Sequence, residues 1–278
     1  MTSFPFRQVD VFGDGPLAGN PVAVVHDAGT WDEQRMAAFA RWTNLSETTF
    51  LLPATHPDAD YRVRIWTPGG ELPFAGHPTL GTAHAWLEAG GTPGREDVVV
   101  QECGVGLVEV SRTADGLAFV GPPLRRSGPV SPADRERIVR ALRIRDTDVV
   151  DAAWVDNGPG WVGVRLADAA AVLAVDPDPA ALGGLAVGVV GPYGPGEPDA
   201  DVEVRAFIAE IGAAEDPVTG SLNAGLGEWL AGTVLPTAYV ASQGTVLGRR
   251  GRVHVRRDGD VVRVGGSTVT TVRGEVTV

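Results

Sequence analysis

The sequence predicts an α+β fold made of two similar halves, and three observations predict it. Short β-branched runs alternate with helical segments rich in small residues along the whole chain. The 278 residues exceed the common size of one domain and suit two of roughly 100–150 residues each. A Pro/Gly turn followed by a small-residue helix occurs twice, once with Trp86-Leu87 and once with Trp229-Leu230 near its end. A duplication accounts for that recurrence, and so does the coincidence of two Gly/Ala-rich helices.

Residues 9–12 and 21–25 read as strands joined by the Gly/Pro-rich stretch 13–20. The glycines suggest a nucleotide loop at first sight, but a β-branched run follows where a dinucleotide fingerprint needs a helix, so a hairpin is expected. Thr30 with Glu33 forms a capping-box pattern, and Met36, Phe39 and Ala40 give the apolar stripe of a helix that should end near Asn44. Residues 46–52 are β-rich and stop at Pro53, which sets Glu47 at a loop-to-strand junction. Residues 61–66 alternate as a half-buried strand. Pro78 suits the first turn of a helix and Gly90-Gly91 its end, so Gly76 and His77 are expected at a helix N-terminus.

Strands follow at 98–100, 106–110 and 117–120. Pro122-Pro123 and the polar stretch to Pro129 read as a connection between an N-terminal domain, 1–122, and a C-terminal domain, 130–266. Ser131 and Pro132 open a helix running toward Arg143. Strands at 153–155, 161–165, 186–190 and 202–207 lead to a second Pro/Gly turn and helix around Asp216, Gly220 and Ser221.

Composition removes several classes of function. A net charge of −12 opposes phosphate backbones and anionic membranes, so neither nucleic acid nor a membrane is an expected partner. An anionic substrate would have to be captured by local donors. No apolar stretch reaches the about 20 residues of a membrane helix, no basic-then-apolar leader opens the chain, and a cytoplasmic location is expected. Every basic residue among the 23 is arginine, which excludes a Schiff base on lysine and a P-loop. Cys103 is the single cysteine, so no internal disulfide or thiolate cluster can form. The five histidines are scattered, His77 and His84 lie too far apart along a helix for one ion, and no Gly-x-Ser-x-Gly elbow occurs. Neither a metal nor a cofactor is expected.

Helix N-termini carry unpaired N–H groups and partial positive charge, so the two helix starts are candidate carboxylate sites, and a cleft between two halves is a usual place for a small molecule. Glu47, His77, Asp216 and Ser221 fall on turns or strand ends in that setting. Each also has a structural explanation: a solvated strand-end charge, a helix start, a turn residue before proline and a helix cap.

Four blocks, 44–50 around Ser46 and Glu47, 74–81 around Gly76 and His77, 215–221 from Glu215 to Ser221, and Ser242-Gln243-Gly244, together resemble the PhzF family of phenazine-biosynthesis-like isomerases. They occur in family order across nearly the whole chain. The resemblance implies a diaminopimelate epimerase-like fold, with two pseudo-symmetric domains, each a curved sheet or barrel around a central helix, and an active site in the cleft between them. It implies that the last strand, 267–278, joins the first domain, and that the protein is a homodimer. It further implies that Glu47 removes a proton from one substrate carbon and returns one elsewhere. His77 and Asp216 assist the chemistry, while Ser46, Gly76, Gly220, Ser221 and Gln243 bind the substrate. Epimerases of that fold use one cysteine from each half, and this chain has none at either helix start, so two-cysteine racemisation is excluded. The expected activity is a cofactor-independent proton shift on a small carboxylate-bearing substrate. A non-catalytic metabolite-binding protein and a dehydratase are the alternatives on the same scaffold.

Overall fold

A computed structural model describes residues 1–194, 199–208 and 215–278. The chain forms two compact units, one of residues 1–120 with 265–278 and one of residues 121–264.

In the first unit the strands are β1 (Ser3–Val11), β2 (Asn20–Val25), β3 (Glu47–Leu52), β4 (Tyr61–Thr67), β5 (Gly70–Leu72), β6 (Val98–Cys103), β7 (Gly106–Thr113) and β8 (Gly116–Val120). Helix α1 (Glu33–Thr43) lies between β2 and β3, and α2 (Gly76–Glu88) between β5 and β6. β1 and β2 are antiparallel, β2 and β3 parallel across α1, β3 and β4 antiparallel, β4 and β6 parallel across α2, and β6 and β7 antiparallel. The C-terminal strand, Thr268–Thr277, pairs with β1.

The second unit repeats this connectivity with β9 (Arg126–Pro129), α3 (Pro132–Leu142), β10 (Asp151–Asp156), β11 (Trp161–Arg165), α4 (Ala169–Leu173), β12 (Ala186–Pro192), β13 (Val202–Phe207), α5 (Gly220–Leu230), β14 (Ala238–Gln243) and β15 (Gly251–Asp258). β10 and β11 are antiparallel, β11 and β12 parallel across α4, β12 and β13 antiparallel, β13 and β14 parallel across α5, and β14 and β15 antiparallel. Five successive pairings thus recur in the same order, which supports the duplication suggested by the Trp-Leu repeats.

Strand periodicity distributes the core of each sheet over two faces. In the first unit Phe50 and Val25 join Phe4, Trp31, Met36, Phe39 and Trp66 in an aromatic cluster under α1. The opposite face carries Val22, Glu47 and Thr49, and it receives α2. Buried hydrogen bonds fix α2 there: Thr82 Oγ1 donates to Thr49 Oγ1 over 2.8 Å, and Gln101 Nε2 donates to Thr79 Oγ1 over 3.0 Å. In the second unit Trp154, Val162, Val187 and Phe207 pack with α3 and α4, while α5 lies against β10, β11 and β15.

Both central helices approach their sheets closely, which explains their glycines despite the helix propensity these lose. A Cβ on Gly81 of α2 would stand 2.3 Å from a Val22 methyl, and one on Gly225 of α5 would stand 2.3 Å from the Val155 carbonyl oxygen.

Two expectations need correction. The cap of α1 is Asp32, whose side chain accepts from the Arg35 N–H, and Thr30 ends a preceding single turn. Asp32 lies nearer the first helical residue, so its carboxylate takes the orphan donor that the Thr30 pattern suggested. The stretch 122–129, read as a connection, contains β9, which pairs with β10 as part of the second unit. Its prolines and arginines mask strand character because all four residues of β9 are exposed.

The substitution Gly225→Ala should therefore destabilise the protein by about 1–3 kcal/mol, although alanine is the better helix former. Gly274→Ala, where an added Cβ meets nothing within 4 Å, should stay within about 0.5 kcal/mol of the parent. Urea denaturation of the two variants checks the contrast.

Candidate active site

The start of α2 brings two of the predicted residues together. Glu47 opens β3 and pairs with Val22, on the sheet face that α2 covers. His77 is the second residue of α2, and its Nε2 lies 3.3 Å from Glu47 Oε2. Both are buried, at 8% and 5% exposure. Burial pushes the His77 ring down to about 3, against the opposing effect of a hydrogen bond to the Pro21 backbone carbonyl. The ring is therefore neutral near pH 7. Among the described residues Nε2 makes no hydrogen bond, so the proton given to Pro21 is the one on Nδ1. The basic lone pair of Nε2 consequently faces the Glu47 carboxyl group. Gly76 is the buried first residue of the helix, and Ser46 sits half-buried on the bend before β3.

In the second unit the turn before α5 is held by a polar frame. Arg205 grips Glu215 through two bonds, Nε to Oε1 at 2.9 Å and Nη2 to Oε2 at 2.8 Å, and its Nη1 donates to the carbonyls of Val172 and Val175. The next residue, Asp216, donates its N–H to the Ala206 carbonyl and accepts the Thr219 hydroxyl at Oδ2 over 2.5 Å. Gln243, fully buried, accepts at Oε1 from the Thr219 N–H and Asn223 Nδ2, and donates through Nε2 to Thr219 Oγ1 and the Asp216 carbonyl. Ser221, second in α5, accepts the Trp161 indole N–H at its hydroxyl and the Asn157 amide at its carbonyl.

The two central helices differ from the others at their N-termini. Asp32, Ser131 and Asp168 cap α1, α3 and α4 with side-chain acceptors. The N-cap residues of α2 and α5, Ala75 and Thr219, make no such bond. Alanine lacks an acceptor, and the Thr219 hydroxyl is engaged by Asp216 and Gln243. These two starts thus lack the side-chain cap of the other helices, an arrangement that suits an anion.

Residues 9–274 match the PhzC-PhzF family, described as phenazine biosynthesis-like protein. The chain belongs to this family. The trans-2,3-dihydro-3-hydroxyanthranilate isomerase of Pseudomonas aeruginosa is 34% identical over 92% of this chain and 91% of its own length. Antisense-enhancing sequence 1 of Schizosaccharomyces pombe is 33% identical over 99% of both chains. Among solved structures, a PhzF-family phenazine biosynthesis protein of Enterococcus faecalis superposes with a TM-score of 0.83 at 26% identity, covering all of both chains. The family's fold is the expected diaminopimelate epimerase-like one, and the chain is an enzyme of the isomerase class.

Within the PhzF family scaffold, Ser46, Glu47, Gly76 and His77 fall in the first unit, and Asp216, Gly220, Ser221 and Gln243 in the second. Gln243 was expected to bind substrate; all four of its hydrogen-bonding positions are occupied within the second unit, where it holds the turn instead. Sequence reasoning missed Pro21, Arg205 and Trp161. Glu203 and Arg205 alternate with apolar residues in β13, yet every residue of that strand is buried. Cys103 closes β6 half-buried, and burial pushes its thiol up. Among the described residues no group of His, Cys, Asp and Glu has metal-holding geometry, and no helix is long and apolar enough to cross a membrane.

The imidazole environments predict a pH dependence of stability. His77 is pushed down to about 3, and His26 to about 4 by burial and then by Arg7, whose Nη1 meets its Nε2 at 2.8 Å. Both folded values lie below the ordinary 6.5, so in that interval the unfolded chain binds protons that the folded chain refuses. Their contribution is complete above 6.5 and is lost as pH falls, by up to about 1.4 kcal/mol per pH unit for each ring. Thermal unfolding from about pH 7.5 to about pH 5 should show Tm falling in the lower half of the range, less steeply in His26→Gln. A flat profile in the parent would contradict the assignment.

Proposed function

We propose that this PhzF-family enzyme moves a proton on a small, carboxylate-bearing ring, with Glu47 as its acid and base. The observation that carries this reading is the buried Glu47 carboxyl 3.3 Å from the neutral His77 ring. With Nδ1–H committed to Pro21, Nε2 is basic, and a carboxylate oxygen facing it would set lone pair against lone pair. One proton shared along that line relieves the repulsion. The pair then stores a hydrogen that Glu47 can deliver to one substrate carbon and recover from another. Such a shift breaks one C–H bond and forms another with no net change in oxidation state, so it calls for no electron acceptor.

The substrate class follows from the relatives and the helix starts. The Pseudomonas aeruginosa relative is named for a dihydro-hydroxyanthranilate, a ring bearing carboxylate, amino and hydroxyl groups. Each uncapped helix start, that of α2 in the first unit and that of α5 with the Ser221 hydroxyl in the second, is of a kind suited to a carboxylate. In this reading Asp216 offers the ring a further polar group, and Gln243 acts as a positioning residue for Asp216 and Thr219.

Incubation with trans-2,3-dihydro-3-hydroxyanthranilate in D₂O tests the proposal. The expected product has rearranged bonds, no loss of water and deuterium on a ring carbon. Glu47→Gln should fold and bind while losing about 10²–10⁴ in rate. Near-normal turnover by that variant removes Glu47 from the mechanism. A product lighter by one water would indicate a dehydratase, and an unchanged ligand that nonetheless binds would indicate a binding protein.

A further inference from the structure

The bond between Trp161 and Ser221 is unusual in what it leaves over. Trp161 is fully buried at the start of β11, and its indole N–H donates to Ser221 Oγ over 3.0 Å. Indole nitrogen is a donor only, so it occupies a lone pair of the hydroxyl and never its hydrogen. Among the described residues Ser221 Oγ has no other partner. Ser221 is half-buried, and Asn157 holds its carbonyl over 2.8 Å, which fixes the residue at the end that the helix does not. A serine hydroxyl ordinarily rotates between donating and accepting. Here one acceptor position is filled by a buried ring, and the hydroxyl hydrogen is left for another acceptor.

The frame around Gln243 reinforces this. Thr219 is well suited to cap α5, but its hydroxyl donates to Asp216 and accepts from Gln243. The cap residue therefore offers no acceptor to the first-turn N–H groups. His77, at the equivalent place in α2, is likewise tied through a single atom, to the carbonyl of Pro21.

We propose that Trp161 is a positioning residue, which makes Ser221 a dedicated hydrogen-bond donor to the carboxylate of a small cyclic acid. It rests on the isomerase reading only for the choice of ligand. A neutral ring in the same place gains less from a fixed donor than a carboxylate does, so the effect of Trp161 should be largest for carboxylates.

Calorimetric titration with 3-hydroxyanthranilate and with 2-aminophenol, the same ring without its carboxylate, tests this. The parent protein should bind the acid more tightly. Trp161→Phe, which keeps the ring and removes the N–H, should weaken the acid by about three- to tenfold and leave 2-aminophenol unchanged. Ser221→Ala should weaken the acid by about tenfold or more. In the double variant the second change should add less than about twofold, because Trp161 acts only through Ser221. Equal weakening of both ligands by Trp161→Phe, additive losses in the double variant, or a parent with no preference for the acid each overturns the proposal. Ser221→Ala tests the same bond from its exposed side if Trp161→Phe does not fold. Glu47→Gln should keep the preference for the acid, and a parent that shows the preference yet places no deuterium on a ring carbon would sink the isomerase reading alone.

Discussion

Burial sets the terms for the pair at the start of α2. A carboxyl group and an imidazole withdrawn from water cannot both be charged without strong mutual compensation, and cannot both present lone pairs without repulsion. The surrounding structure removes the freedom to avoid that choice. Pro21 takes the Nδ1 proton and so dictates which nitrogen faces Glu47. Thr49, two residues beyond Glu47 on the same sheet face, is bonded to Thr82 of α2, which fixes the strand against the helix in register. His77 cannot turn away without losing its bond to Pro21. The geometry of the pair is thus a consequence of strand and helix packing, and its basicity a consequence of a single backbone carbonyl.

The second unit uses the opposite arrangement at the corresponding helix. Its charged groups near the turn are paired inside the protein, with Arg205 satisfying both oxygens of Glu215 and two further carbonyls. A buried pair with this geometry adds little net stability, but removal of one partner typically costs about 3–5 kcal/mol. Its effect is rigidity of the residue that follows, Asp216, which Thr219 and Gln243 also constrain. One unit holds a buried carboxyl group against a neutral imidazole, and the other holds a rigid polar turn.

Much of this was legible in the residues. Period-two runs located the strands that frame both helices, Pro78 and the paired glycines bounded α2, and Glu47 was placed at a strand start. The blocks around Glu47, His77 and Asp216 pointed to the family. What stayed hidden depends on tertiary partners. Alternating charge in β13 looks solvated unless α4 is known to cover it. Gln243 looks like a ligand contact until its four partners are counted. Trp161 carries no local signal, because an indole N–H becomes informative only when its acceptor, 60 residues away in sequence, is known.

The uncapped helix starts connect the energetics with the chemistry. A good N-cap contributes about 1 kcal/mol, and α1, α3 and α4 obtain it from Asp32, Ser131 and Asp168. The central helices forgo it in different ways: α2 begins after an alanine, and α5 begins after a threonine whose hydroxyl is diverted. Poor capping of two otherwise well-packed helices is hard to reconcile with stability alone, since Thr219 has the right side chain at the right position. It follows naturally if the first-turn N–H groups must remain open to an anion. The duplicated connectivity delivers such a start in each unit, and the second residue then separates their roles. His77 brings a basic nitrogen to a carboxyl group, whereas Ser221 brings a hydroxyl whose direction Trp161 controls.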